Sequence, residues 1–205
     1  LISAAADRAT RRGVGKLRRE GVQVTAVGRQ LNYPGISQIL VNDYHGGYLA
    51  AKHMYDDLGL RRLVLLSAKN HPTHGRDSRH QAVFDYARES GHPEPEMIEC
   101  RSYDKRSILP KEIQDTAYHT CRDVIASGAE MPEGIIADVD IRGFGAYRAM
   151  YEAGLTPGRD IAVIGYDDIW PTESVYPPMT TVHQPTHEMG KAAADMLIDS
   201  LEKQI

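Results

Sequence analysis

Two carboxylates close an apolar run in Asp160-Ile161-Ala162-Val163-Ile164-Gly165-Tyr166-Asp167-Asp168. A buried strand that ends in this way delivers both groups at the C-terminal edge of a parallel sheet, where open α/β folds bind their ligands. Each carboxylate carries two acceptor oxygens and can take hydrogen bonds from two neighbouring hydroxyls, which is the chemistry of polyol binding. The same pair can also do no more than cap the turn that follows, and the residues by themselves leave both readings open. Other chemistry is poorly supplied. Gly143-Phe144-Gly145 precedes a helical stretch like a dinucleotide fingerprint, but Arg148 stands where the third glycine belongs. His71 and His74 lie three apart in a loop with no cysteine beside them, a poor metal set. Arg8, Arg11, Arg12, Lys16, Arg18 and Arg19 recur at helical spacing and read as a solvated helix face rather than a grip on DNA. No Gly-x-Ser-x-Gly elbow, P-loop or nucleophile–base constellation marks an enzyme, and nothing calls for a cofactor.

Side chains at a sheet edge need a frame, and the chain supplies one. Short β-branched runs at Val22–Val27, Gln38–Val41, Leu63–Ser67, Met97–Cys100, Gly134–Ala137 and Ile161–Tyr166 predict strands. Between them, period-3.6 stretches predict helices over about Arg8–Glu20, Tyr44–Leu58, His74–Ser90, Pro110–Ser127 and Arg142–Ala153, with a last one near Thr186–Glu202. This alternation is that of βαβ units feeding a parallel sheet. Asp43 is placed to cap the second helix and Gly59 to end it. Pro110 suits a first turn and Gly128 a helix end. Ile113, Ala117, Cys121 and Val124 share one face of that helix, so Cys121 reads as a small buried residue.

Composition sets outer limits. The chain has 205 residues, 41% apolar and 25% charged, enough for one large α/β domain or two small lobes and too apolar for disorder. With 24 Lys+Arg against 28 Asp+Glu it carries a net charge of -4 and is a poor nucleic-acid binder by itself. No apolar run approaches the roughly 18 residues that span a bilayer. The opening Leu1-Ile2-Ser3-Ala4 lacks the order of a secretory leader and reads like the tail of a strand begun earlier, so the chain looks like a fragment. Two cysteines, Cys100 and Cys121, suggest neither a disulfide framework nor zinc, and the cytoplasm is the expected compartment.

Several ordered blocks resemble LacI-type bacterial transcription regulators. Val163-Ile164-Gly165-Tyr166-Asp167-Asp168, then Pro177-Pro178-Met179-Thr180-Thr181-Val182-His183-Gln184-Pro185, then Glu188-Met189-Gly190 are similar to the family's C-terminal signature. Val41-Asn42-Asp43 with Gly46-Gly47, Ala51, His53 and Leu58-Gly59 resembles an earlier block, and Leu60-Arg61-Arg62-Leu63 the strand entry that follows. Gly145-Ala146, Ala149, Glu152-Ala153-Gly154-Leu155 and Pro157 with Asp160-Ile161 resemble a third. The match covers nearly the whole chain.

The resemblance implies a two-lobed, periplasmic-binding-protein-like (type I) α/β fold, each lobe a parallel sheet flanked by helices. The N-terminal lobe would be incomplete here, holding residues 1–46 and a return helix in 184–205, with the C-terminal lobe at 47–183. It implies the effector-binding core of a cytoplasmic, homodimeric repressor, without membrane contact. A small sugar or sugar derivative would be gripped between lobes and would gate operator DNA binding through a helix-turn-helix head that this chain lacks. By the family's motif, Asp167 falls on the position that binds ligand hydroxyls and Arg79 on an arginine whose planar fork suits adjacent ring oxygens. The chain also departs from the pattern. Where the family has Ala-Asn-Asp, it reads Asp138-Val139-Asp140, so the ligand-facing amide is lost and Asp138 or Asp140 is the replacement contact. Gly28-Arg29 replaces a frequent Asp-Arg pair. Tyr103 and Trp170 follow strands, where each can stack on a sugar face or pack between loops. A periplasmic sugar-binding protein of a transport system is the alternative of the same architecture.

Overall fold

The computed structural model describes residues 8–28, 30–31, 33–68, 74–100 and 109–202. In chain order its elements are α1 (Arg8–Arg19), β1 (Thr25–Val27), β2 (Ser37–Ile39), α2 (Asp43–Lys52), β3 (Leu63–Ala68), α3 (His74–Glu89), β4 (Glu96–Cys100), α4 (Pro110–Ala126), β5 (Gly134–Ala137), α5 (Asp140–Glu152), β6 (Ala162–Asp167), β7 (Thr180–His183) and α6 (Thr186–Glu202). A π-helical turn, His53–Asp57, prolongs α2, and a 3-10 turn, Trp170–Glu173, lies between β6 and β7. The chain divides into two compact units: Leu1–Asn42 with Thr73–Gly75 and Pro185–Ile205, and Asp43–Pro72 with Arg76–Gln184.

In the first unit β1 and β2 pair in parallel, and α6 packs on both. Val14 of α1 is buried in one apolar cluster with Val24, Ala26 and Leu31. Arg11, Arg12, Lys16 and Arg19 of the same helix are exposed, the arrangement of an amphipathic surface helix. Among the described residues this sheet has two strands.

The second unit is built on a five-stranded, all-parallel sheet in the order β4-β3-β5-β6-β7. Strand side chains alternate between faces, so two separate apolar layers form. Leu66, Ile135 and Val163 join Ala117, Tyr118, Cys121, Tyr147 and Met150 of α4 and α5 on one side. Leu63, Leu65, Ile136 and Ile164 join Ala50, Ala51, Met54, Val83 and Tyr86 of α2, its π-helical turn and α3 on the other. Helices on both faces explain why these strands read as continuous apolar runs rather than alternating ones.

One strand falls outside the sequence expectations. β7 is an edge strand bonded only to β6, its residues exposed or half-buried, so it lacks the apolar run that marks β3, β5 and β6. The second helix is also not α-helical to its end, since its last turn is wound as a π-helix before Gly59, whose φ of 69° stops it. Asp43 opens α2 but does not cap it. Its carboxylate accepts from Arg79 and Tyr166 instead. α5 begins at Asp140, two residues ahead of expectation, after an extended Val139. No helix among the described residues is long and apolar enough to cross a membrane.

Candidate functional site

Strand order locates the site. β4 lies on one side of β3 and β5 on the other, so the crossover connections leave in opposite directions from β3, and the crevice at the C-terminal ends of β3 and β5 is where such sheets bind ligands. Ser67 and Asp138 stand at these ends, with Asp167 at the end of β6 and the first turns of α3 and α5 alongside.

Arg79 of α3 is the centre of the arrangement. Its Nε donates to Asp43 Oδ1 at 2.6 Å and its Nη1 to the Asp138 carbonyl oxygen at 2.9 Å, while Nη1 lies 3.7 Å from Asp167 Oδ1. The guanidinium carbon sits 3.5 Å from the centroid of the Tyr166 ring, a cation–π stack. Tyr166 Oη in turn donates to Asp43 Oδ1 at 3.3 Å. Burial, against the pull of Arg79, pushes the Tyr166 phenol up to about 12, so it remains a donor at neutral pH. Arg79 is thus held by two acceptors and an aromatic ring, with 10% of its side chain exposed. The seat depends on Gly47, where a Cβ would lie 2.2 Å from the Arg79 carbonyl oxygen.

Asp167 and Asp168 sit on strained backbone. Their φ angles are 114° and 55°, in the half of conformational space that side chains other than glycine avoid. Such strain persists where surrounding bonds over-determine the turn. Here Gln184 Nε2 donates to Asp167 Oδ1 at 2.5 Å, Asp168 N donates to Thr181 Oγ1 at 3.3 Å, and Asp168 Oδ2 lies 2.7 Å from His183 Nδ1. All three partners come from β7 or the residue after it. The result turns the Asp167 side chain, 28% exposed, toward Arg79 at the rim.

The other sequence candidates take different places. Asp140 is fully buried; it accepts from Thr181 Oγ1 at 2.6 Å and from the Ile169 N–H at 3.0 Å, bracing the loop behind Asp167. Burial raises its pKa above the usual carboxylate range, while the bonds from Thr181 and from the backbone of Ile169 and Asp168 pull it down. Asp138 is buried and accepts from Arg142 Nη1 at 2.7 Å and Ser67 Oγ at 2.8 Å. Val139 is buried as well. Trp170 opens the 3-10 turn after β6 with 79% of its surface exposed. Tyr103 lies outside the described residues. Arg79, Asp167, Asp138 and Asp140 are therefore brought to one sheet edge, the last two inside it. Asp43, Tyr166, Gln184, Ser67, His80 and Arg142 join them without having been named as site residues from sequence; Asp43, Tyr166 and Gln184 lie inside the quoted blocks, whereas the others carry no local signal. Among the described residues no group of three His, Cys, Asp or Glu side chains is arranged to hold a metal ion.

A parallel sheet with its polar rim at the switch point defines a ligand-binding α/β unit, and comparison with known proteins agrees. The sequence profile of the periplasmic binding protein-like domain matches residues 51–205, and the chain belongs to that family. Its relatives are LacI-type regulators. A "HTH-type transcriptional repressor PurR" of Haemophilus influenzae is 26% identical over 175 residues, covering 82% of this chain and 47% of the repressor. The "Ribose operon repressor" of Escherichia coli is 46% identical over 67 residues, 33% of this chain and 20% of that protein. The chain thus spans about half the length, or less, of these relatives. Among solved structures, a LacI family regulator from Enterococcus faecium with bound ribose superposes with a TM-score of 0.80 at 22% identity, covering 98% of this chain and 69% of that one. A dimeric Lac repressor with a C-terminal deletion gives 0.77 at 19% identity, covering 100% and 79%. These likenesses establish the fold, an α/β fold of parallel sheets flanked by helices, of which this chain covers part.

Proposed function

We propose that this chain is the effector-binding part of a cytoplasmic, ligand-gated transcriptional repressor, and that its effector is a small hydroxyl-rich molecule of the sugar class. The observation that carries the reading is the Arg79–Asp167 pair: a fixed guanidinium and a carboxylate 3.7 Å away, at the C-terminal rim of a parallel sheet. A donor fork beside an acceptor pair matches vicinal hydroxyls, which both accept and donate. Trp170 supplies an exposed aromatic face against which a sugar ring can stack. The name of one relative, a ribose operon repressor, and the ribose held by a structural neighbour support the same class. In this reading a helix-turn-helix head outside the chain contacts operator DNA as a homodimer, and the effector acts through its differential affinity for two states of the regulator.

The test is calorimetric titration of the chain with D-ribose and a panel of other neutral sugars. The wild type is expected to bind at least one of them, and Arg79→Ala and Asp167→Ala to bind none while keeping the wild-type circular dichroism. Loss of a hydrogen-bonded charged contact of this kind costs about 2–5 kcal/mol. Normal binding by either variant overturns the site.

A further inference from the structure

Two buried side-chain nitrogens in the described structure lack a hydrogen-bond partner, His80 Nε2 and Arg142 Nε, and both belong to residues gathered on Asp138. Buried polar atoms are satisfied almost everywhere in folded proteins. Two exceptions around one carboxylate, at the sheet edge that carries the ligand rim, are therefore informative. The residues around them are tightly set. Asp138 has no exposed side-chain surface, with Oδ1 accepting from Arg142 Nη1 at 2.7 Å and Oδ2 from Ser67 Oγ at 2.8 Å. His80, next to Arg79 on α3 and 15% exposed at its side chain, brings Nε2 to 3.8 Å from Asp138 Oδ2. That separation is too long for a direct hydrogen bond. It is right for an oxygen set to one side, since two bonds of about 2.8 Å close a triangle on such a base.

We propose that the gap between His80 Nε2 and Asp138 Oδ2 is a hydroxyl subsite that makes His80 a specificity-determining residue. With the imidazole hydrogen on Nε2, the oxygen it takes accepts from the ring and donates to the carboxylate, which a hydroxyl or a water does and an ether, a carbonyl or an anion does not. Arg142 neutralises Asp138, so the subsite selects by hydrogen bonding rather than charge. A water fills it in the free protein and one hydroxyl of the effector displaces that water on binding. The inference rests on the proposed sugar site and adds to it a preference among hydroxyls, because a site built to bond an OH rejects the analogue that lacks it.

Two measurements test it. A high-resolution crystal structure of the chain without ligand should show a water within hydrogen-bond reach of both His80 Nε2 and Asp138 Oδ2; a dry gap, or a direct His80–Asp138 bond, overturns the subsite whatever the chain binds. Titration with D-ribose and its singly deoxygenated analogues should then show one deoxy sugar binding about tenfold or more weaker than ribose. His80→Leu should bind ribose but lose that discrimination, and His80→Gln, which places an amide nitrogen near the same point, should restore part of it. Equal affinity for every analogue, or discrimination that survives His80→Leu, overturns the specificity role. If the water is present but neither ribose nor any analogue binds, the sugar reading fails and the ligand half of this inference fails with it, leaving a structural water.

Discussion

Arg79 shows how one side chain is made into a receptor. An arginine free in solution loses rotamer entropy when it grips a ligand; here Asp43, the Asp138 carbonyl and the Tyr166 ring have already fixed it. Asp167 is prepared differently, by backbone strain. Because φ at this position is 114°, replacing the residue by glycine or alanine removes the same carboxylate but leaves strain only in the alanine variant. Asp167→Gly is therefore expected to be more stable than Asp167→Ala by about 1 kcal/mol in urea denaturation, with both failing to bind. Equal stabilities would mean that the turn relaxes once the carboxylate is gone. Gly165, one step earlier in the signature than Tyr166, answers to space instead. A Cβ there would lie 2.1 Å from Asp140 Oδ1 and 2.9 Å from Met179 Cε, so Gly165→Ala should lose about 1–3 kcal/mol, read as a lowered urea midpoint with an unchanged slope.

At the level of elements, the site depends on the least conspicuous strand. β7 lends the core layers the half-buried Val182 and no fully buried side chain, yet Thr181 ties Asp140 to the Asp168 backbone, and Gln184 just beyond the strand holds Asp167. Thr181→Val keeps shape and β-propensity while removing both bonds. Since it leaves the buried Asp140 carboxylate short of a donor, a loss of about 1–3 kcal/mol is expected. Ligand affinity should fall with it, because the loop bearing Asp167 and Asp168 is then free to relax. A variant that is destabilised but binds as wild type would separate the brace from the site. The strand escaped the sequence reading for the same reason it works: an edge strand whose side chains serve a loop has no core periodicity to display. α2 and α3 were legible from theirs, but the close contact at Gly47 that seats Arg79 between them was not.

For the molecule as a whole, burial of weak acids sets a limit on the alkaline side. Cys121, Tyr55, Tyr147 and Tyr166 are each pushed up to about 12 by burial, from about 9 for the thiol and about 10 for the phenols in an unfolded chain. Each keeps its proton when folded and loses it when unfolded across that window. Below pH 9 these groups leave stability unchanged, and as pH rises toward 12, from about 9 for the thiol and about 10 for the phenols, the unfolded state is favoured by roughly 1.4 kcal/mol per unit per group. The thermal midpoint should therefore drop steeply between pH 9 and 11, and Cys121→Ser should soften only the first part of the fall. A midpoint flat over that range would contradict the burial of these four side chains. At acid pH the sign reverses: hydrogen bonds and ion pairs hold Asp56, Glu133, Glu152 and Asp160 below their ordinary values, so the stability they add is present above about pH 4 and fades below it.

Sequence by itself determined the class of architecture, the succession of strands and helices, and the ordered blocks that tie this chain to its family, because these follow from periodicity and from local turn chemistry. It also marked Asp167 and Arg79 as residues to watch. Only the tertiary structure decided that Asp138 and Asp140 turn inward to Ser67, Arg142 and Thr181, that Asp43 serves Arg79 rather than its own helix, and that His80 faces Asp138. Those pairings join residues 36 to 71 positions apart, apart from Asp138–Arg142. A sheet whose strand order departs from chain order brings such positions together at one edge, and no local pattern records which of them will meet.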